Sequence, residues 1–362
     1  MPTIIEIPAP MPRPHRASPS RPAVSVVIVN WNRAEMLSTC LNSLSDQTFR
    51  DFEAIVVDNG STDGSVRRVR SQFPDVSLIA LGENTGFSVA NNIGIRAACG
   101  EYMALLNNDA EAESHWLEEL VKVLRTHSEI GFCASKMVLW DDRSLADGCG
   151  DFYTPEGVAG KIGHLDRADR YDEPREVFGA SAGAAMYLRS MFEDIGGFDE
   201  DFFMVHEDTD LNFRGRLMGY RCLYVPTAIV YHRLGGTIGV NSEMNIFHDQ
   251  RNIEFVFLKN MPTSLMVRYL PLHLIANWLS FVKHLLRSQA RTFIRAKADA
   301  LRFVPKMIQK RRRIQSARRA SAQEISAAMT KGWLANAIKR QARSFFDGRG
   351  IRVKGDASGL TH

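Results

Sequence analysis

Two acidic constellations and a histidine are the residues of this 362-residue sequence whose type and spacing could do chemistry. The first is Asn107-Asn108-Asp109, which closes the apolar run Tyr102 to Leu106. A carboxylate at the carboxyl end of a sheet strand can reach a hard cation such as Mg²⁺ or Mn²⁺, and through it a diphosphate. The same residue types also make an ordinary polar turn. The second constellation, His206-Glu207-Asp208-Thr209-Asp210, places three acids in four residues directly after an apolar run. Acids at a helix start are stabilised by the helix dipole, by roughly 0.3–1 kcal/mol each, a role that suits Asp210. Asp208 suits either that role or general-base work on a hydroxyl. His232, at the end of a strand-like segment, is open to a structural, a solvent-facing or a metal-ligating reading.

The elements that must position these residues alternate. Val24 to Val29, Ala54 to Val57, Val76 to Ala80 and Tyr102 to Leu106 are β-branched or apolar runs, separated by segments with helical spacing. That order predicts an α/β, doubly wound, mainly parallel sheet. All four runs end in Asn, Asp or Gly, which predicts a ligand rim. No G-x-G-x-x-G follows the first strand and no G-x-x-x-x-G-K-[ST] occurs. Phosphates are therefore not held by a glycine-rich helix start, and a metal ion is the natural substitute. Ser114 to His127 is an amphipathic helix, Cys133 to Trp140 a strand, and Asp141 to Arg175 a polar, glycine-rich substrate-side insertion. Small residues from Val177 to Leu188, Gly183 and Ala184 among them, let backbone approach a ligand. Arg221 to Val225 and Ala228 to Tyr231 are expected as two short strands flanking Pro226.

Hydrophobic residues make up 45% and charged residues 24%, so the chain can bury a sizeable core. Its net charge of +4 hides an asymmetry. Residues 261–362 hold 21 Lys and Arg against 4 Asp and Glu, leaving 24 against 37 elsewhere. The five cysteines include no C-x-x-C pair, which fits reduced thiols. Met1 to Pro22 contains seven prolines and no apolar signal region, as in a disordered leader. No run of 18 uncharged apolar residues is present, so no membrane span is expected. The basic end, from the apolar Leu265 to Leu286 through Arg311-Arg312-Arg313, is either a helical subdomain with a solvated basic face or an amphipathic region on an anionic leaflet. No recognised nucleic-acid-binding fold accompanies the charge.

Taken together, the sequence from about Val24 to Pro262 resembles the bacterial family 2 glycosyltransferases of GT-A fold, of the rhamnosyltransferase-like type. Six ordered blocks carry the resemblance: Val-Ser-Val-Val-Ile-Val-Asn-Trp-Asn from Val24, Val-Val-Asp-Asn-Gly-Ser-Thr-Asp-Gly-Ser from Val56, Asn-Thr-Gly-Phe-Ser-Val-Ala-Asn-Asn-Ile-Gly from Asn84, Leu-Leu-Asn-Asn-Asp-Ala from Leu105, Gly-Gly-Phe-Asp-Glu-Asp-Phe-Phe from Gly196 and His-Glu-Asp-Thr-Asp-Leu from His206. The resemblance implies a GT-A domain over 23–262, which composition sets between a Pro-rich leader over 1–22 and a basic helical region over 263–362 that a lipid-linked acceptor would make membrane-associating. In the domain, the nucleotide half runs to about 112 and the acceptor half from about 113. It implies that Asp58 contacts the pyrimidine base and that Asn30, Asn32, Asn84, Asn91 and Asn108 line the donor. Asp109, the last acid of the D-x-D motif, and His232 would ligate Mg²⁺ or Mn²⁺. Asp208 would be the catalytic base, with Gly183, Ala184 and Glu207 on the acceptor side.

The chain departs from the strict motif at Asn107, where the fuller form has Asp, and it lacks the Q-x-x-R-W of processive synthases. The implied reaction is an inverting, single transfer from a nucleotide-diphospho-sugar, dTDP-rhamnose or a UDP-sugar. Its acceptor is a hydroxyl of a cell-surface glycan or a lipid-linked acceptor. The implied place is the cytoplasm, peripheral at the inner face of the plasma membrane, with an anionic membrane surface and no nucleic acid as partner. Two alternatives are a sugar-nucleotidyltransferase, whose glycine-rich loop after the first strand is missing, and a non-catalytic nucleotide-sugar-binding protein.

Overall fold

A computed structural model describes residues 21–233 and 242–332, so the expected leader falls outside the described residues except for Arg21 and Pro22. The first half alternates as expected: β1 (Val24–Asn30), α1 (Ala34–Ser45), β2 (Phe52–Asp58), α2 (Ser65–Gln72), β3 (Ser77–Ala80), α3 (Phe87–Ala97) and β4 (Tyr102–Leu106). Next come β5 (Ala110–Ala112), α4 (Trp116–Thr126), β6 (Ile130–Leu139), β7 (Ala146–Cys149), β8 (Asp151–Tyr153), β9 (Ala159–Lys161), β10 (Arg175–Val177) and β11 (Ala184–Leu188). The rest is α5 (Arg189–Ile195), α6 (Glu207–Leu217), β12 (Arg221–His232), α7 (Glu243–Asn260), α8 (Thr263–Leu286), α9 (Ala290–Ala317) and α10 (Ala322–Ala328).

The main sheet runs β10-β12-β6-β11-β4-β1-β2-β3. β4, β1, β2 and β3 are mutually parallel, and so are β6 and β12. β11 enters antiparallel between β4 and β6, which makes the sheet mixed. Alternation along β1 sets the two faces. Val24, Val26 and Ile28 pack on Leu37 and Leu41 of α1 and Leu117 and Leu120 of α4, whereas Val27 packs with Ala90 and Ile95 of α3. The strands expected on either side of Pro226 are one strand, β12, whose register against β6 shifts between Val225 and Ile229. A proline lacks the ladder N–H, and the strand passes it by bulging.

The Asp141–Arg175 stretch is more structured than an insertion loop. β7 joins the sheet beside β6, and β8 and β9 form a separate hairpin. The five cysteines are free thiols, with Cys99 exposed. The C-terminal helices share a core with α6: Phe202, Phe213 and Leu217 pack with Phe255 and Val256 of α7, Leu265 of α8 and Ala300 and Met307 of α9. Where the sequence suggested no span, α8 is long and apolar enough to cross a membrane by length and composition. Isolated polar residues and Pro271 lie within it without breaking the helix.

Candidate active site

β1 and β2 end in register at Asn30 and Asp58, both buried. Asn30 Nδ2 donates to Asp58 Oδ2 at 2.9 Å and to Ser61 Oγ at 3.1 Å, while Asn108 Nδ2 donates to Asn30 Oδ1 at 2.8 Å. The ends of β1, β2 and β4 are thus tied into one polar chain. Asn32 sits at a left-handed φ of 59°, and its Oδ1 accepts from the Thr62 N–H. Asn59, which sequence reasoning did not single out, donates to Asn84 Oδ1 at 2.9 Å and accepts from the Thr85 N–H at 2.9 Å, joining two rim loops. Gly86 holds φ +86° with its α-carbon against Phe203, where a β-carbon would lie 2.6 Å from the ring.

These ends open into a cleft of about 390 Å³ at the carboxyl edge of the sheet, a size ordinary for small-ligand sites. Asn59, Asn84, Asn107, Asn108, Asp109, Lys161, Gly183, Glu207, Asp208 and His232 line it. Asn30, Asn32, Asp58, Asn91 and Ala184 do not appear on that wall. Asn91 lies within α3 and donates to the Phe87 carbonyl, and Ala184 is buried in β11. A larger cavity of about 560 Å³ adjoins α10, but its Glu176, Arg216 and Arg221 pair with one another, away from this chemistry.

Pairing of β12 with β5 brings His232 opposite Ala110, next to Asp109. His232 Nε2 is 3.2 Å from Asp109 Oδ1, and Nδ1 is 3.0 Å from Asp147 Oδ2. Burial opposes a charge on this imidazole, yet the hydrogen bonds and charges of Asp109 and Asp147 outweigh it and hold its pKa up at about 9. Asp147 is fully buried. Burial opposes its ionisation too, but His164, His232 and Lys161 keep it well below the usual carboxylate range. Lys161 Nζ lies 2.7 Å from Asp147 Oδ2 and faces the cleft. Asn107 Nδ2 approaches His232 Nε2 at 3.4 Å. Among the described residues no group of three His, Cys, Asp or Glu could hold a metal alone. Asp109 and His232 nonetheless fit a hard divalent cation as a partial ligand set, completed by substrate phosphate and water.

The acidic constellation opens α6. Val205 and His206 both sit at φ 65°, a left-handed turn that aims Glu207 and Asp208 at the cleft. A β-branched residue there is strained, and α7 supplies the restraint. Asn252 Nδ2 donates to the carbonyls of Met204 and Val205 at 2.8 Å each, and His206 Nε2 meets Asp249 at 2.8 Å. Asp208 accepts from the Thr209 N–H at 2.7 Å and from the Ala182 N–H at 3.4 Å. The adjoining Gly183 carbonyl accepts from the Asn107 N–H at 2.9 Å, so residues 181–183 join the two sides of the site. Burial, then the charge of Asp208, pushes Glu207 up to about 8. Asp210 points away, its carboxylate held by Lys259 at 2.6 Å, Asn260 at 2.7 Å and Arg214 at 2.8 Å.

Residues 25–196 match the model of Glycosyl transferase family 2. Over that segment, just under half of the chain, the sequence is similar to the family 2 glycosyltransferases. Among curated relatives, an uncharacterized glycosyltransferase of Nostoc sp. is 38% identical over 30% of this chain and 34% of its own length. The O-antigen biosynthesis protein RfbC of Myxococcus xanthus is 28% identical over 63% of this chain and 19% of its own. The chain thus spans about a third or less of these two relatives. The N-acetylglucosaminyl-diphospho-decaprenol L-rhamnosyltransferase of Mycobacterium tuberculosis is 28% identical over 59% of this chain and 77% of its own length. Two solved structures share the fold at 18–19% identity. A Pyrobaculum calidifontis mannosyltransferase in complex with GDP-Man and Mn²⁺ has a TM-score of 0.51, covering 91% of this chain and 89% of its own. GalNAc-T7 with UDP, GalNAc and Mn²⁺ has a TM-score of 0.54, covering 66% of this chain and 48% of its own. The fold is GT-A. Asp208 and His232 lie beyond the matched family segment, and geometry alone joins them to it.

Proposed function

We propose that the chain is an inverting, non-processive glycosyltransferase that moves a sugar from a nucleotide-diphospho-sugar to a hydroxyl of a glycan or lipid-linked acceptor. One observation carries the reading: a single cleft gathers the amide-rich strand ends, the Asp109–His232 pair and Asp208. Asn108 on the cleft wall is suited to holding the nucleoside, with Asn30 and Asp58 fixing it from behind and Asn59 and Asn84 shaping the loop beside it. Asp208 takes the acceptor hydroxyl proton, the oxygen attacks the sugar C1 from the face opposite the nucleotide, and the C1–O bond to the diphosphate breaks with its electron pair. Glu207, held protonated near neutral pH, leaves the base role to Asp208 and can donate to the acceptor. Lys161 faces the leaving diphosphate as a fixed cation. Mg²⁺ or Mn²⁺ held by Asp109 and His232 would neutralise charge on that leaving group. The Mn²⁺ named with both structural neighbours supports this assignment, and the named rhamnosyltransferase relative supports dTDP-rhamnose as the first donor to try, with UDP-sugars next. The expected place is the cytoplasmic side of the plasma membrane.

The test is a screen of nucleotide sugars for nucleoside diphosphate release, with and without Mn²⁺. Asp208→Asn should leave donor binding near normal and lower turnover on the order of 10²–10⁴-fold. Near-normal turnover in that variant removes Asp208 from the base role, and activity insensitive to a chelator removes Asp109 and His232 from a metal role.

A further inference from the structure

The outward face of α8 is apolar along its length. Val267, Leu274, Ile275, Trp278 and Leu285 are 67, 59, 45, 63 and 53% exposed. At helical spacing they share one stripe with Pro271 and Val282, extending over roughly five turns and about 27 Å. The stripe contains no charge, and α8 contains no Asp or Glu. Single exposed apolar residues are ordinary on a protein surface, but a continuous stripe of this length marks an interaction site.

The opposite face of α8 is fixed to the body. His273 is buried, with Nδ1 2.7 Å from the Glu156 carbonyl and Nε2 3.0 Å from Glu254, and its ring stacks on Phe257. Ser280 donates to Gln250 at 3.1 Å. Crossing a bilayer would carry Arg268, Lys283 and the His273–Glu254 pair into hydrocarbon, a cost that its length and composition do not offset.

We propose that α8 lies in the plane of an anionic leaflet, with this stripe at the boundary between headgroups and acyl chains. Charge selects the occupant. Residues 261–332 hold 15 Lys and Arg against 2 Asp and Glu, and Arg268, Lys283, Arg287 and Arg291 are exposed on α8 and at its junction with α9. An apolar stripe bordered by bases, with an indole at its middle, matches an interfacial helix on acidic lipid. The inference stands apart from the transfer chemistry, since no stripe residue lines the cleft.

The test uses the full chain and point variants, because residues of α9 hold the body together. Flotation is compared on vesicles of phosphatidylcholine with phosphatidylglycerol and on phosphatidylcholine alone, for the unaltered chain, Leu274→Glu/Trp278→Glu and Lys283→Glu/Arg287→Glu. The unaltered chain should float with the acidic vesicles. The stripe variant should partition about tenfold less or worse, since each large apolar side chain withdrawn from lipid is worth at least about that factor. The charge variant should lose its preference for phosphatidylglycerol, with the helix content of both variants unchanged by circular dichroism. Equal flotation of the stripe variant, or failure of the unaltered chain to float, overturns the proposal. So does a dimer in the absence of lipid that the stripe variant converts to monomer, which would give the face to a second copy. Membrane-bound chain that resists alkaline carbonate would instead make α8 a span.

Discussion

Replacing Asn252 by alanine tests whether α7 holds the turn that carries Asp208, the proposed base. Asn252 is fully buried, and its side-chain N–H groups are shared between the Met204 and Val205 carbonyls. Alanine removes these two hydrogen bonds at about 1 kcal/mol each, together with the one Asn252 Oδ1 accepts from Arg251, and leaves two buried acceptors short of partners, for a local loss of about 2–4 kcal/mol. The left-handed Val205 and His206 cost about 1–3 kcal/mol apiece. Restraint and strain are therefore of similar size, and the turn should relax once the restraint is gone. His206 would still meet Asp249, so α6 should shift rather than unfold. A displacement of Asp208 by about 1 Å is enough to lower turnover on the order of 10²-fold. Donor binding should hold, because Asn59, Asn84 and Asn108 belong to other strand ends. The assay is nucleoside diphosphate release at saturating donor and acceptor, with donor KM measured alongside. Unchanged turnover in a folded Asn252→Ala chain would refute the restraint, and a fall in donor affinity equal to the fall in turnover would point to general damage.

Lys161→Ala should weaken binding of a nucleoside diphosphate on the order of tenfold, the worth of a charge-assisted hydrogen bond, and leave binding of the nucleoside unchanged. Isothermal titration with both ligands decides it, since equal losses would make Lys161 only a prop for Asp147. Acid stability should follow Glu254. Burial opposes ionisation of this carboxyl, but His273 and Lys297 hold it down from 4.5 to about 2. A depressed carboxylate contributes stability above its unfolded pKa and loses it as pH falls through the folded one, so this contribution, about 3 kcal/mol, should fade between pH 4.5 and 2. Urea denaturation of Glu254→Gln across that window should show a flatter pH dependence than the unaltered chain, and an equal slope would remove Glu254 as a cause.

The strand ends that form one side of the cleft were legible in the sequence for a simple reason. β1, β2 and β4 are nearly continuous apolar runs buried on both faces, and each ends in Asn, Asp or Leu-Asn at the rim. The strands β7, β8 and β9 have only three or four residues each, too few for a period to register. Asp147 and Lys161 disappeared with them, because the contact that gives Asp147 its role reaches His232, 85 residues away. A charged residue in the otherwise apolar Ala146-Asp147-Gly148-Cys149 was the available signal. Asn252 was visible only as text beside an absent Q-x-x-R-W motif, since its function depends on how α7 packs under the turn.

The basic end illustrates why charge counting cannot assign a role to each charge. Lys306 reaches Asp201 at 2.5 Å, Lys310 reaches Asp201 at 2.6 Å and also pairs with Asp199, Lys297 meets Glu254 at 2.6 Å and Arg319 meets Asp194 at 3.0 Å. Asp199 and Asp201 belong to the Gly196–Phe203 turn that leads into Val205 and Asp208, and Lys259 joins Asp199 to Asp210 within α6. Removing α9 would leave Asp201 without its cations and take one cation each from Asp199 and Glu254, which costs several kcal/mol where a pair is deeply buried. The helices beyond residue 262 therefore belong to the machinery that fixes the acidic turn. The bases left for a lipid surface are the smaller set at the end of α8 and the start of α9, beside the apolar stripe. On the membrane proposal, one helical region would serve two separable tasks, and substitutions on its inner and outer faces should affect turnover and membrane binding independently.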